Sequence, residues 1–245
     1  MTKRSSRAVS THNDATDRGK VQSLFGGGWD PLSEKRDQSY VRKIQPRSPN
    51  QQKFLTAITD HSLTLAIGPA GTGKTYLAVS AAVEALEAGT IERIVLSRPA
   101  IEAGESLGYL PGDMMEKMAP YLRPLYDCLT DRLGGKRLRA LMEEGDIEIA
   151  PIGFMRGRTL NNAFVVIDEA QNCTYAQMKM LLTRLGWHST MVITGDPEQS
   201  DLLPGMSGLA DIARRLEVLP GIAVVQLEDR DIVRHPLVGA MLGVL

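Results

Sequence analysis

Eight consecutive residues, Gly68 to Thr75, read G-P-A-G-T-G-K-T and constrain this chain more than any other stretch of it. The apolar run Leu63, Leu65, Ile67 leads into the loop and Tyr76-Leu77-Ala78-Val79 leads out, a strand, loop, helix context. Glycines at 68, 71 and 73 let the backbone turn tightly enough to aim successive N–H groups at phosphate oxygens, and the helix N-terminus adds its positive dipole. The pattern predicts a nucleoside triphosphate held by Gly68, Pro69, Ala70, Gly71, Thr72, Gly73, Lys74, Thr75 and Tyr76. Lys74 would set its ammonium between the outer two phosphates, and the Thr75 hydroxyl would complete the coordination of a magnesium ion. A Gly-rich turn that binds nothing is the alternative, and the flanking pattern argues against it.

A metal at such a loop needs a carboxylate from a neighbouring strand. Ala163-Phe164-Val165-Val166-Ile167-Asp168-Glu169 has the continuous apolar run of a parallel strand covered on both faces, with acids where ligands sit at its end. Asp168 would bind the magnesium, directly or through water, and Glu169 would act as general base on the attacking water. The same acids could instead cap a helix starting at Ala170.

At 245 residues and 43% hydrophobic content the chain can bury one substantial α/β domain with appendages, and two motor domains would not fit. The net charge of −1 gives no global field toward nucleic acid, so any such binding must use a local patch. Cys128 and Cys173 lack metal-ligand spacing and fit a reducing compartment. No stretch reaches the length that spans a bilayer and the N-terminus lacks a signal-peptide core, so a cytoplasmic protein without membrane partners is expected.

Residues 1–45 are rich in Ser, Thr, Asp, Lys and Arg and are expected to form a loosely ordered basic tail, in which Lys3, Arg4 and Arg7 could touch RNA or simply be solvated. The domain is expected over 46–245. Phe54, Leu55 and Ile58 mark a helix face, and further strands are expected at Arg93–Ser97, Ile147–Ala150, Met191–Thr194 and Ala223–Leu227. Strands alternating with helices predict a mainly parallel sheet with helices on both faces. A helical insertion is expected near 99–145, where Tyr121, Leu122, Leu125, Tyr126, Leu129 and Leu133 form one apolar stripe and Leu138, Leu141 and Met142 start another. Both read as packing surface.

With these motifs placed, the chain resembles the PhoH family of ATPases, which share the RecA-like fold of the first motor domain of superfamily 1 helicases. The resemblance covers roughly residues 48–240. It is carried by the loop at 68, S-R-P-A-I-E-A-G-E-S-L-G-Y-L-P-G-D from 97, M-R-G-R-T-L-N-N-A-F from 155 and D-E-A-Q-N from 168. T-R-L-G from 183, I-T-G-D-P-E-Q-S-D-L from 193 and V-R-H-P-L-V from 233 complete it. It implies that Gln51, or Gln52 if the register slips by one, reads the adenine edge, and that Gln199, in a loop with Gly195 and Asp196, senses the terminal phosphate. By the same resemblance Ser97-Arg98-Pro99 touches a nucleic-acid backbone.

Arg156 and Arg158 suit phosphate recognition or ordinary ion pairs. The resemblance further implies a hexameric ring, because the chain holds no second motor domain to supply an arginine to the ATP site. Arg234 is then the leading residue to act in trans, with Arg156 and Arg158 behind it, while His235 reads as structural. No attached nuclease domain is expected. The chain is therefore expected to hydrolyse ATP with Mg2+, coupled to single-stranded RNA or to an RNA-processing protein. A nucleotide-dependent switch with slow turnover is the alternative, and a kinase acting on a small molecule is a more remote one.

Overall fold

The computed structural model describes residues 44–99 and 114–233, with side chains at 114–118 left aside. Residues 1–43 of the expected tail, the motif residues from 100 to 113, and Arg234 and His235 lie outside the described residues, whereas Ile44, expected in the tail, packs against the core and donates its N–H to Glu84 at 2.8 Å.

Six strands form one sheet: β1 (Leu63–Ile67), β2 (Arg93–Ser97), β3 (Ile147–Ile149), β4 (Ala163–Ile167), β5 (Thr190–Gly195) and β6 (Ile222–Gln226). Their order is β3-β2-β4-β5-β1-β6 and every pairing is parallel. Parallel neighbours need crossovers, supplied by α2 (Lys74–Glu87), α3 (Met114–Leu133), α4 (Gly135–Glu144), α5 (Tyr175–Leu182) and α6 (Leu209–Leu216), while α1 (Pro49–Asp60) precedes β1. The strands run as expected, each within a residue of its predicted bounds.

Alternation along the strands divides the core into two layers. On β4, Phe164 and Val166 face a cluster with Phe54 and Ile58 of α1, Leu77 and Val83 of α2, and the α3 stripe Leu122, Leu125, Tyr126, Leu129 and Leu133. Val165 and Ile167 face Met178 and Leu181 of α5 and Leu209 and Ile212 of α6. Each fully buried aliphatic side chain of this kind stabilises the fold by roughly 1.5–3 kcal/mol. The insertion stripes are therefore core surface, as their periodicity suggests. Pro120 and Pro124 lie inside α3, on its exposed side.

Helix α1 begins where its sequence requires. Ser48 caps it, its Oγ accepting from the Gln51 N–H at 3.2 Å, and Pro49 takes the first turn, where a missing N–H costs nothing. No helix among the described residues is long and apolar enough to cross a membrane.

Candidate functional site

Strands β2, β4, β5 and β1 are successive neighbours, so their carboxyl ends bring Arg98, Asp168, Gly195 and the 68–75 loop to one edge. Backbone bonds close the joints: the Asp168 N–H donates to Ser97 O at 2.9 Å and the Gly68 N–H to Gly195 O at 3.2 Å.

The loop needs its glycines. Gly68 has φ +145°, and a Cβ there would stand 2.2 Å from the Leu227 carbonyl oxygen. Gly71 and Gly73 also have positive φ, and Gly73 leads into α2. Lys74 is buried, its ammonium donating to the carbonyls of Gly68 at 2.6 Å and Pro69 at 2.8 Å. Burial pushes its pKa below the ordinary lysine range, opposed by the charges of Asp196, Glu169 and Asp168. Gln51 rather than Gln52 faces this loop. Its Nε2 donates to Thr72 O at 3.0 Å and its Oε1 accepts from the Arg47 N–H at 2.7 Å, whereas Gln52 bonds Thr56 on an exposed face. In this geometry the Gln51 amide ties the loop at Thr72 to the backbone that precedes α1 at Arg47.

Asp168 is held from several sides. Its Oδ1 accepts from Thr75 Oγ1 at 2.6 Å and from Thr194 Oγ1 at 2.7 Å, and its Oδ2 lies 3.7 Å from Arg98 Nη1. Thr194 was not foreseen, although a polar residue following the apolar run Met191-Val192-Ile193 was a visible signal. Glu169 has a left-handed backbone, φ 53°, uncommon for a residue with a Cβ. One of its oxygens stands 3.4 Å from Arg98 Nη2 and the other accepts from Gln171 Nε2. Gln171 Oε1 in turn accepts from the Asp196 N–H at 3.0 Å, so one buried amide spans the acid of one motif and the backbone of another. Asn172 and Asp201 repeat the link reciprocally, at 3.0 and 2.9 Å. Ala170–Asn172 forms a single 3-10 turn, and no side-chain cap from Glu169 bonds it.

Gln199 is exposed and its N–H donates to Asp196 O at 3.0 Å. It lines a cleft of about 380 Å³ with Lys74, Thr75, Arg98, Asp168 and Glu169. On the other side of the loop a cleft of about 860 Å³ is bounded by Arg47, Gln51, Gly73, Tyr76 and Val233. A larger one, about 1300 Å³, opens near the amino ends of the strands beside Trp187 and carries no residue of the phosphate loop. Chemistry rather than size assigns the site. Tyr76 is partly exposed and its hydroxyl donates to Asp131 at 3.3 Å.

The arginines separate clearly. Arg98, read from sequence as a contact to nucleic acid, lies in the cleft of the phosphate loop. Arg158 makes a bidentate pair with Glu148 of β3, both arms 2.6 Å, and Arg156 is exposed. Arg234 follows Val233, whose N–H donates to Gly71 O at 2.9 Å.

The residues fit a magnesium nucleotide. A hydroxyl and a carboxylate, Thr75 and Asp168, are hard oxygen donors, and Thr75 keeps lone pairs for a cation while its proton serves Asp168. No cluster of three or more His, Cys, Asp or Glu side chains that could hold a metal ion occurs among the described residues.

The family model described as "PhoH-like protein" matches residues 43–245. A PhoH-like protein of Bacillus subtilis is 55% identical over 202 residues, covering 82% of this chain and 63% of its own length. Protein PhoH of Escherichia coli is 42% identical over 230 residues, covering 93% and 65%. The chain thus spans less than two thirds of these relatives. The large terminase of a thermophilic bacteriophage aligns at 14% identity over 81% of this chain and 50% of its own, with a TM-score of 0.48, a likeness too distant to carry an argument.

Proposed function

Because the chain belongs to the PhoH-like protein family, we propose that it hydrolyses ATP with Mg2+ in an oligomeric ring and couples the cycle to single-stranded RNA or to an RNA-processing protein. One observation carries the hydrolase reading: the Thr75 hydroxyl and Asp168 carboxylate meet at 2.6 Å beside Glu169, at the mouth of a glycine loop whose lysine is buried.

In the proposed cycle the loop N–H groups and Lys74 bind the β- and γ-phosphates, exchanging the lysine's carbonyl partners for phosphate oxygens. Thr75 and Asp168 hold the magnesium ion, which neutralises phosphate charge when bound. Glu169 accepts a proton from water as the water oxygen attacks the γ-phosphorus. The bond from that phosphorus to the bridging oxygen breaks, and its electron pair stays on the departing diphosphate. Gln199, on the loop tied to the acids through Gln171 and Asn172, would follow the terminal phosphate, as the resemblance implies.

RNA coupling is supported by resemblance to helicase motor domains, and the hexamer with Arg234 in trans by resemblance to ring-forming ATPases. Two free cysteines, Cys128 and Cys173, agree with a reducing, cytoplasmic setting. The test is steady-state ATP hydrolysis with and without single-stranded RNA, subtracting the Glu169→Gln rate. Stimulation supports the coupled reading; a Glu169-dependent rate indifferent to RNA favours a switch. RNA affinity should fall by roughly 0.7 log units per log unit of salt for each phosphate neutralised.

A further inference from the structure

The proposed ring draws a catalytic arginine from another subunit, yet Arg98 lies at the reacting end of this chain's own cleft. We infer that Arg98 supplies in cis the guanidinium that stabilises the charge developing on the terminal phosphate during hydrolysis. This rests on the hydrolase reading above.

Three observations carry it. First, Arg98 follows β2, and β2 adjoins β4, so the side chain emerges beside Asp168 and Glu169 and shares a cleft wall with Lys74, Thr75 and Gln199. Its guanidinium lies 3.7 Å from the first carboxylate and 3.4 Å from the second, with 21% of the side chain exposed. Those two acids are the proposed metal ligand and base, which must flank the phosphorus under attack.

Second, these contacts are loose. Arg158 and Glu148 show what a committed pair looks like here: two bonds of 2.6 Å, with hydrogen bonding from Arg158 holding the Glu148 carboxyl below the usual range despite partial burial. At 3.4 and 3.7 Å the Arg98 contacts exceed the length of good charge-assisted bonds, and a planar fork of donors favours a phosphate it can meet with two.

Third, charge requires it. Asp168, Glu169 and Asp196 converge on the cleft, and all three act on Lys74. One lysine against three carboxylates would repel a polyanion, and Arg98 halves that excess before any metal arrives. In the reaction Arg98 neither gains nor loses a proton. It holds the γ-phosphoryl oxygens as the bridging bond breaks.

The experiment compares Arg98→Ala, Arg98→Lys and Glu169→Gln with the unsubstituted protein. Readouts are binding of a fluorescent ATP analogue, single-turnover hydrolysis, and capture of ADP with aluminium fluoride, which mimics the transferring phosphoryl group. We expect Arg98→Ala to bind the analogue within a few-fold of normal. It should hydrolyse ATP on the order of 100-fold or more slowly and lose the aluminium fluoride complex, given arginines worth about 10³–10⁵ in comparable sites. Arg98→Lys should recover part of both losses. Mixing Arg98→Ala with Lys74→Ala chains should restore nothing, since no site would then hold both groups.

A loss under about 10-fold, normal aluminium fluoride capture, or rescue on mixing overturns the inference while leaving the hydrolase reading intact. If the unsubstituted protein shows no Glu169-dependent hydrolysis, both fall together.

Discussion

Replacing Gln171 with leucine tests whether the bridge between the two acidic motifs does what its geometry says. The side chain is 2% exposed, and leucine fills a similar volume while deleting both bonds. Loss of Oε1 strands the Asp196 N–H in a buried position, which costs about 1–3 kcal/mol. Loss of Nε2 costs less, about 0.5–1 kcal/mol, because the Glu169 side chain is 35% exposed and water can replace the donor. The sum, about 1.5–4 kcal/mol, corresponds to a melting temperature lower by roughly 3–16 °C for a chain of this size. The catalytic effect should be separable from the structural one. Glu169 keeps its left-handed backbone through its surroundings, so its carboxylate should lose its aim. Loop contacts to phosphate stay in place, so kcat should fall at least about 10-fold with KM little changed. Urea denaturation followed by far-UV circular dichroism, with steady-state ATPase on the same preparation, gives both numbers. A stability change under about 0.5 kcal/mol with unaltered kcat would refute the bridge.

Gly68→Ala should abolish nucleotide-analogue binding and lower the melting temperature, because its methyl would meet the Leu227 carbonyl at 2.2 Å. Gly157→Ala, with positive φ but nothing within 4 Å, should cost only about 1 kcal/mol. Asp231 is buried, which pushes its pKa up. Hydrogen bonds from Ser48, Asn50 and the Glu228 N–H, with the charge of Arg230, outweigh this and hold it below the ordinary value of 3.8. Its folded pKa lies below its unfolded one, so its stabilisation is complete above about pH 4 and declines as pH falls toward the folded value. Asp231→Asn should accordingly flatten the acid limb of a stability-versus-pH curve; an unchanged limb would refute this. For Arg158 and Glu148, both about a third exposed, a double-mutant cycle should return about 0.5–1.5 kcal/mol of coupling, reduced by molar salt.

What the sequence disclosed, and what it withheld, follows from how local each cause is. The loop at 68–75 was legible because turn, phosphate donors and helix start are encoded in consecutive residues. The apolar run ending at Asp168 was legible for the same reason, as were the strands and the α3 stripe. Thr194, Gln171 and the cleft-facing side of Arg98 were not, because each depends on ladder register. Thr194 lies opposite Ala66, and Ser97 opposite Ile167, pairings between residues more than sixty apart. The choice between Gln51 and Gln52 turned on which face of α1 meets Thr72, which a one-residue slip reverses. Arg158 reads alike as phosphate binder or ion pair until Glu148 is seen across from it.

The way β6 completes the sheet also sets an order of events during synthesis. β1 pairs with β6, from Leu63 opposite Ile222 to Ile67 opposite Gln226, and the phosphate loop rests on Leu227 and Val233. A nascent chain that has just exposed the 68–75 loop carries it with both flanks of β1 open, and once β5 has paired, the flank that β6 will cover stays an unpaired edge of the kind that recruits other strands. That edge waits until Ile222 has been made, and closures across such separations are slow. ATP should find its site only once β6 has emerged from the ribosome, so nucleotide occupancy would report a finished sheet, and chains stalled before Ile222 should be aggregation-prone and unable to retain ATP.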